Sequence, residues 1–147
     1  MTDVSKYLDK TMTQLLEIVW TKDNIPTEDD SNVVRRHYSV TLKKLKDFSN
    51  EDVRFCLSQE IGLTYVVPLA IEILREDILA EGHMYPGDIV SNLLNVDAEY
   101  WDLHVNHALE VQGILSRALE KCAMDQEFDG QIGKGFNRKF DKFLARF

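Results

Sequence analysis

One apolar segment decides the fold, residues 64–76, which read TYVVPLAIEILRE. Apolar side chains recur in it at helical spacing, and few positions are left over for solvent. A helix with so little polar surface is stable only where other elements cover it on most sides. We therefore predict that this helix lies at the centre of a hydrophobic core.

On the N-terminal side of this segment the same helical spacing predicts three more helices. The first spans about residues 4–20 and is followed by a polar loop broken by a proline. The second begins after Ser31 as its N-cap, and the third runs from a cap at Ser49 to a stop at Gly62. The apolar side of the second helix is expected to carry Val34, Tyr38, Leu42 and Leu45.

On the C-terminal side we expect a short helix from Pro86 to about Leu94, because proline suits the first helical position. Asp97 then caps a long helix whose apolar positions continue to Cys122. Its inner face is predicted to include Trp101, Val105, Ala108, Val111, Leu115 and Leu119. A basic amphipathic helix over residues 131–147 completes the chain. No segment alternates as a half-buried strand would, so residues 1–147 are predicted to form one all-α domain, a bundle of about six or seven helices.

The composition is that of a globular protein. Apolar residues make up 44% and charged residues 29% of the 147 positions. The two cysteines, Cys56 and Cys122, form no Cys-x-x-Cys pair, which argues against a zinc ribbon or a redox site and favours reduced thiols. Neither a secretory start nor an apolar stretch of membrane-spanning length is visible, so we expect a cytoplasmic protein with no membrane partner.

The charge is unevenly distributed along the chain. The 25 acids and 17 bases give a net charge of −8, which disfavours binding to nucleic acid. Residues 60–129 contain fourteen acids and three bases, a local net charge of −11, whereas residues 130–147 contain five bases and one acid. Two interpretations are open: the acids are solvated helix faces, or they form a surface that docks onto a cationic cleft such as the substrate groove of a nuclease.

The spacing His104-x-x-His107-x-x-Glu110 is the one arrangement that resembles metal-dependent chemistry. It places three possible ligands on neighbouring helical turns, which a small metal-dependent hydrolase would need. It is not the zincin pattern, and such pairs of histidines arise often by chance, so we favour a polar helix face. No nucleophile elbow or phosphate loop is present either. The sequence predicts no catalytic residue, no metal and no cofactor.

The turn at residues 80–88, AEGHMYPGD, is the most distinctive local feature. We interpret it as a rigid corner in which glycines permit unusual backbone angles and Asp88 accepts hydrogen bonds at a helix N-terminus. The alternative is a ligand or partner loop that carries Glu81 and His83.

Three ordered blocks around this turn resemble a family of bacterial immunity proteins from contact-dependent growth inhibition (CDI) systems. They read LxxFSxEDVR at residues 45–54, QxIGLxYVVPLA at 59–70 and LAEGxxYPGD at 79–88. The segment from Met12 to Trp20 and the Val34-Arg35-Arg36 helix are also similar to the start of that family. The resemblance covers about residues 11–101, and His83 departs from it where an acid is expected.

The resemblance implies a small, non-enzymatic, cytoplasmic protein that neutralises the toxic C-terminal domain of a secreted effector. It favours a nuclease toxin, an RNase in particular. Because immunity proteins must distinguish toxins, the shared residues of the family are expected to hold the fold while others bind. Charge density then predicts a partner-binding surface of Glu76, Asp77, Glu81, Asp97, Glu99 and Asp102, with Tyr100 as an aromatic anchor. An acidic adaptor for another basic protein remains an alternative.

Overall fold

The computed structural model describes residues 4–124, 141–143 and 145, and it confirms the all-α class. Between residues 4 and 124 the chain forms seven α-helices and one 3-10 turn at Leu45–Asp47. The α-helices are α1 (Met12–Leu15), α2 (Asn32–Thr41), α3 (Asn50–Gln59), α4 (Leu63–Glu76), α5 (Asp88–Leu94), α6 (Ala98–Leu103) and α7 (Val105–Met124). Residues 141–143 and 145 are also helical. The rest of the basic helix predicted over 131–147 lies outside the described residues.

Helix α4 occupies the centre of the core, as its sequence predicts. It packs against α3, α5 and α7, and its residues Val66, Val67, Ala70 and Ile71 are all 0% exposed. Pro68 lies inside the helix and cannot donate a hydrogen bond to the carbonyl of Thr64. Because Thr64 is an exposed residue, water can satisfy that carbonyl.

The predicted caps of α2 and α3 are confirmed. The Ser31 hydroxyl accepts from the Val34 amide, and Ser49 forms a reciprocal capping box with Asp52. The stop predicted at Gly62 is wrong by two residues, because α3 ends at Gln59 and the left-handed residue that stops it is Glu60. Gly62, at φ +57°, instead begins α4 as its N-cap.

The helix predicted over residues 4–20 is wrong, since only Met12–Leu15 are α-helical within it. The reason is pairing with a distant part of the chain. The carbonyls of Leu8 and Lys10 accept hydrogen bonds from the amides of Lys46 and Leu45, at 3.0 Å each. Those carbonyls are therefore not available to continue a helix.

The long helix predicted from Asp97 to Cys122 is interrupted at His104. A continuous helix would direct the His104 amide to the Tyr100 carbonyl, but here it donates to the Trp101 carbonyl. The Tyr100 carbonyl instead accepts a hydrogen bond from the imidazole Nδ1 of His104, at 3.0 Å. The chain turns at this point (φ −131°, ψ 59°) and α7 begins at Val105.

Two further predictions are corrected by the structure, the start of α5 and the apolar side of α2. Helix α5 begins at Asp88 and not at Pro86, because Gly87 adopts φ +86° and forms the cap. The apolar side predicted for α2 is only partly covered, since Leu45 is 2% exposed and Tyr38 is half-buried against Trp20, but Val34 is 45% and Leu42 48% exposed. Within residues 4–124, no helix combines the length and the apolar character that crossing a membrane would require.

Gly62 and Gly113 provide a matched test of this packing. A Cβ at Gly62 would meet the fully buried Met12 side chain, with the Met12 Cε at 2.8 Å, and would also be held at a positive φ. We expect Gly62→Ala to lower the free energy of unfolding by about 2 kcal/mol. Gly113→Ala, which meets nothing within 4 Å inside α7, should raise it by about 0.5–1 kcal/mol. Urea denaturation measures both, and equal effects would contradict the packing at Gly62.

Candidate functional site

The turn at residues 80–88 is organised around the carboxylate of Asp88. This side chain is 0% exposed and accepts hydrogen bonds from the backbone amides of Gly82 at 2.7 Å and Met84 at 3.0 Å. A longer bond of 3.4 Å comes from the Tyr85 amide. The three donors satisfy a charge that would be costly to bury alone. The turn is therefore a rigid corner, as the sequence predicts.

A second buried carboxylate, that of Glu51, fastens this corner to α2 and α3. Glu51 is 4% exposed and accepts from the Arg36 guanidinium at 2.8 Å, from both Arg54 Nε and Arg54 Nη2, and from the His83 amide at 3.0 Å. Arg36 also lies over the Phe55 ring, 4.4 Å from its centroid. The hydrogen bond from Arg54 is the main reason that the pKa of Glu51 falls to about 2.

A third pairing lies one residue further along α3. The Asp52 carboxylate accepts from Lys43 Nζ at 2.8 Å and from the Ser49 amide at 3.0 Å. Burial would raise the pKa of Asp52, but these hydrogen bonds outweigh it and the pKa is lowered. The carboxylates of Glu51, Asp52 and Asp88 in the FSxEDVR and YPGD blocks are thus buried and hydrogen-bonded within the fold, whereas the side chain of Tyr85 is 50% exposed. His83 supplies only its backbone amide to this network, a bond that any residue except proline can donate.

Six of the predicted partner-binding residues are exposed, but they do not form one group. Asp97, Glu99 and Asp102 lie together at α6, where Asp97 caps the helix. Glu76 and Asp77 lie at the end of α4, beside a shallow pocket lined also by Ile114 and Arg117 of α7. Ile114 is nine residues beyond the start of α7, which separates the two groups by roughly 14 Å along that helix. Glu81 is separate again, in the corner turn.

Tyr100 occupies a different position from the one predicted. Its side chain is 8% exposed, so it offers almost no surface to a partner. Its hydroxyl lies 2.7 Å from Nδ1 of His107 and 3.2 Å from the carbonyl of Leu63, and burial raises the pKa of the phenol. The Tyr100 side chain therefore connects α6 with α7 and α4 in the interior of the protein.

The possible metal ligands are each engaged elsewhere. His104 stacks on the Tyr100 ring with 4.1 Å between centroids, and the rings of His104 and His107 are nearly parallel. Glu110 pairs with Arg75 at 3.0 Å. Among the described residues no three His, Cys, Asp or Glu side chains are arranged to hold a metal ion. The geometry lends no support to the hydrolase alternative.

Sequence reasoning missed three large apolar side chains at the surface where α6 meets α7. Leu103 is 73% exposed, Val105 50% and Leu109 53%. Val105 was predicted to face inward as part of one continuous helix. Ala108 and Val111 are buried as predicted, so the inner face of α7 keeps the predicted spacing after the break at His104. Val105 is the first residue of α7 and lies four residues before Leu109 on its outer face. Which end of a helix other elements leave uncovered has no periodic signal in the sequence.

The Glu51 network predicts a specific pH dependence. Because its folded pKa is about 2 against a normal value of 4.5, the stabilisation is complete above pH 4.5 and is lost as the pH falls towards 2. We expect Glu51→Gln to lower the free energy of unfolding at pH 7 by on the order of 3 kcal/mol. The free energy of unfolding of the variant should also depend less on pH between 4.5 and 2. Glu72→Gln, which removes an exposed partner of Arg75, should cost less than about 1 kcal/mol. Denaturation curves between pH 2 and 7 measure both, and equal losses would refute the role of Glu51.

The pKa of His107 should also be measurable. Burial, followed by the neighbouring His104, lowers this pKa below its normal value of 6.5. The folded state therefore disfavours the protonated imidazole, and stability should decline as the pH falls below 6.5. We expect His107→Gln to remove that part of the decline. A His107 resonance that titrates in NMR spectra at or above 6.5 would contradict this environment.

Comparison with known proteins gives one match. The family model of CDI immunity proteins matches residues 8–111, which is more than two thirds of the chain and includes the corner, the Glu51 network and the start of α7. No curated protein and no solved structure shows a significant match. The matched range contains all three sequence blocks in order. The chain belongs to the family of CDI immunity proteins.

Proposed function

We propose that this chain is a non-enzymatic, cytoplasmic inhibitor of a CDI toxin. It binds the toxic C-terminal domain of its cognate effector and covers the active site of that domain with an acidic surface. The toxic domain is a nuclease, and an RNase is favoured. Membership of the family supports the general part of this proposal, since immunity proteins of these systems neutralise a cognate toxin.

One observation carries the specific part, the exposure of acidic side chains on α6. Glu99 and Asp102 are three residues apart and therefore share one face of this helix. They lie within the segment 60–129, whose net charge is −11. A nuclease cleft must attract the phosphate backbone of its substrate, so it is cationic. An acidic protein surface complements such a cleft and competes with the substrate for it.

Co-expression tests the general proposal. The partner is the C-terminal domain of the effector encoded immediately upstream, produced from an inducible promoter. We expect the chain to restore growth and to co-purify with that domain in a stable complex. Toxicity without rescue, together with the absence of a complex, would overturn the proposed function.

Charge reversal tests the acidic surface. The double variant Glu99→Lys/Asp102→Lys should slow association with the toxin domain by about tenfold at low ionic strength and weaken its salt dependence, because electrostatic steering is lost. The matched control is Glu28→Lys/Asp29→Lys, the same charge change at two exposed positions in the loop before α2. Stopped-flow or surface plasmon resonance gives both rates. Equal on-rates for the two variants would remove α6 from the interface.

A further inference from the structure

We infer that the centre of the toxin-binding surface is the junction of α6 and α7, formed by Leu103, Val105 and Leu109 with the acids of α6 at its edge. This inference rests on the proposed function and assigns it a location. Its partner is a basic protein domain that presents an apolar patch beside its cationic cleft.

The exposure of these three side chains is the first step. Leu103 is 73% exposed, Val105 50% and Leu109 53%, and all three lie within seven residues of sequence. Val105 and Leu109 are four residues apart, so they are neighbours on one face of α7. Single apolar side chains at a surface are ordinary, whereas a group of large ones is typical of an interaction site.

The surface around these three side chains has few charges. Along the outer face of α7, the exposed positions between Val105 and Ser116 carry no charge, although the surrounding segment is strongly acidic. Gly113 has nothing within 4 Å of the position that a Cβ would occupy, so this face is open to a partner. Glu99 and Asp102 lie at the α6 end of the face. An uncharged centre with charged residues at its edge is the usual anatomy of a protein interface.

The acidic charge around this surface indicates a basic partner. A nucleic acid would be repelled by the acids of α6. A second copy of this chain would bring the same acidic segment to the interface, with a net charge of −11 over residues 60–129. Like charges at an interface cost binding free energy. Neither repulsion arises with a basic protein domain, which is the kind of toxin domain proposed above.

The junction also explains how recognition and stability are separated on neighbouring residues. Tyr100 and Trp101 of α6 point inward, at 8% and 1% exposure, and Trp101 packs edge-to-face on Phe143. Leu103, on the same short helix, is exposed. At His104, imidazole Nδ1 donates a hydrogen bond to the Tyr100 carbonyl. This bond lies at the break between α6 and α7 and helps to hold the two helices in this arrangement.

The test compares two double variants of the full chain. Leu103→Ala/Leu109→Ala truncates the proposed centre, and Val33→Ala/Val34→Ala is the matched control, since those valines of α2 are 48% and 45% exposed. Because all four side chains are exposed, both variants should keep the wild-type circular dichroism spectrum and melting temperature to within a few degrees. We expect the first variant to dissociate from the toxin domain about 100-fold faster and the control to be unchanged.

Each outcome has one meaning. If the wild-type chain protects cells and the Leu103→Ala/Leu109→Ala variant keeps the wild-type dissociation rate, the inference is overturned and the proposed function stands. If the wild-type chain neither binds nor protects, both fail. Sedimentation of the wild-type chain alone provides a further check, because a dimer that Leu103→Ala/Leu109→Ala converts to monomer would identify a second copy as the occupant and overturn the inference.

Discussion

The buried carboxylate of Glu51 is the constraint on which the rest of the structure depends. A carboxylate that is 4% exposed is strongly disfavoured unless several donors reach it. Here they come from Arg36 on α2, from Arg54 on α3 and from the amide of His83 in the corner turn. Three separate parts of the chain must therefore converge before Glu51 can be buried, and that convergence positions α5 behind the corner.

The corner turn at residues 80–88 also buries a carboxylate, and there the hydrogen-bond donors are backbone amides. Asp88 is fully buried, and the amides of Gly82, Met84 and Tyr85 close around its carboxylate. The backbone amides of these residues hold α5 against α3, while the side chains of Met84 and Tyr85 are 65% and 50% exposed. The shared blocks maintain the scaffold, and the proposed recognition surface at the junction of α6 and α7 carries side chains that the scaffold does not need.

The sequence predicted features that depend on near neighbours. The central helix, the caps at Ser31 and Ser49 and the rigid corner were all readable, because spacing and capping are local properties. It failed where a backbone carbonyl accepts from a donor other than the helical amide. Residues 8–10 pair with the backbone at 45–46 and are not helical. The imidazole of His104 competes for a helical carbonyl and divides the predicted long helix.

The candidate site shows the same division. Acid positions at the surface could be predicted from charge alone, and six of the seven predicted residues are exposed. Their grouping could not, because composition does not say which helices adjoin. Tyr100 was predicted as a surface anchor but is buried, where its hydroxyl meets His107 and Leu63.

By itself, then, the sequence determined the helical class, the central position of α4 and the family, since each is encoded by spacing and motif within a short stretch. Only the tertiary structure decided which apolar side chains face outward. Val105 and Leu109 are exposed although Ala108 and Val111 of the same helix are buried, because the other helices cover only one side of α7.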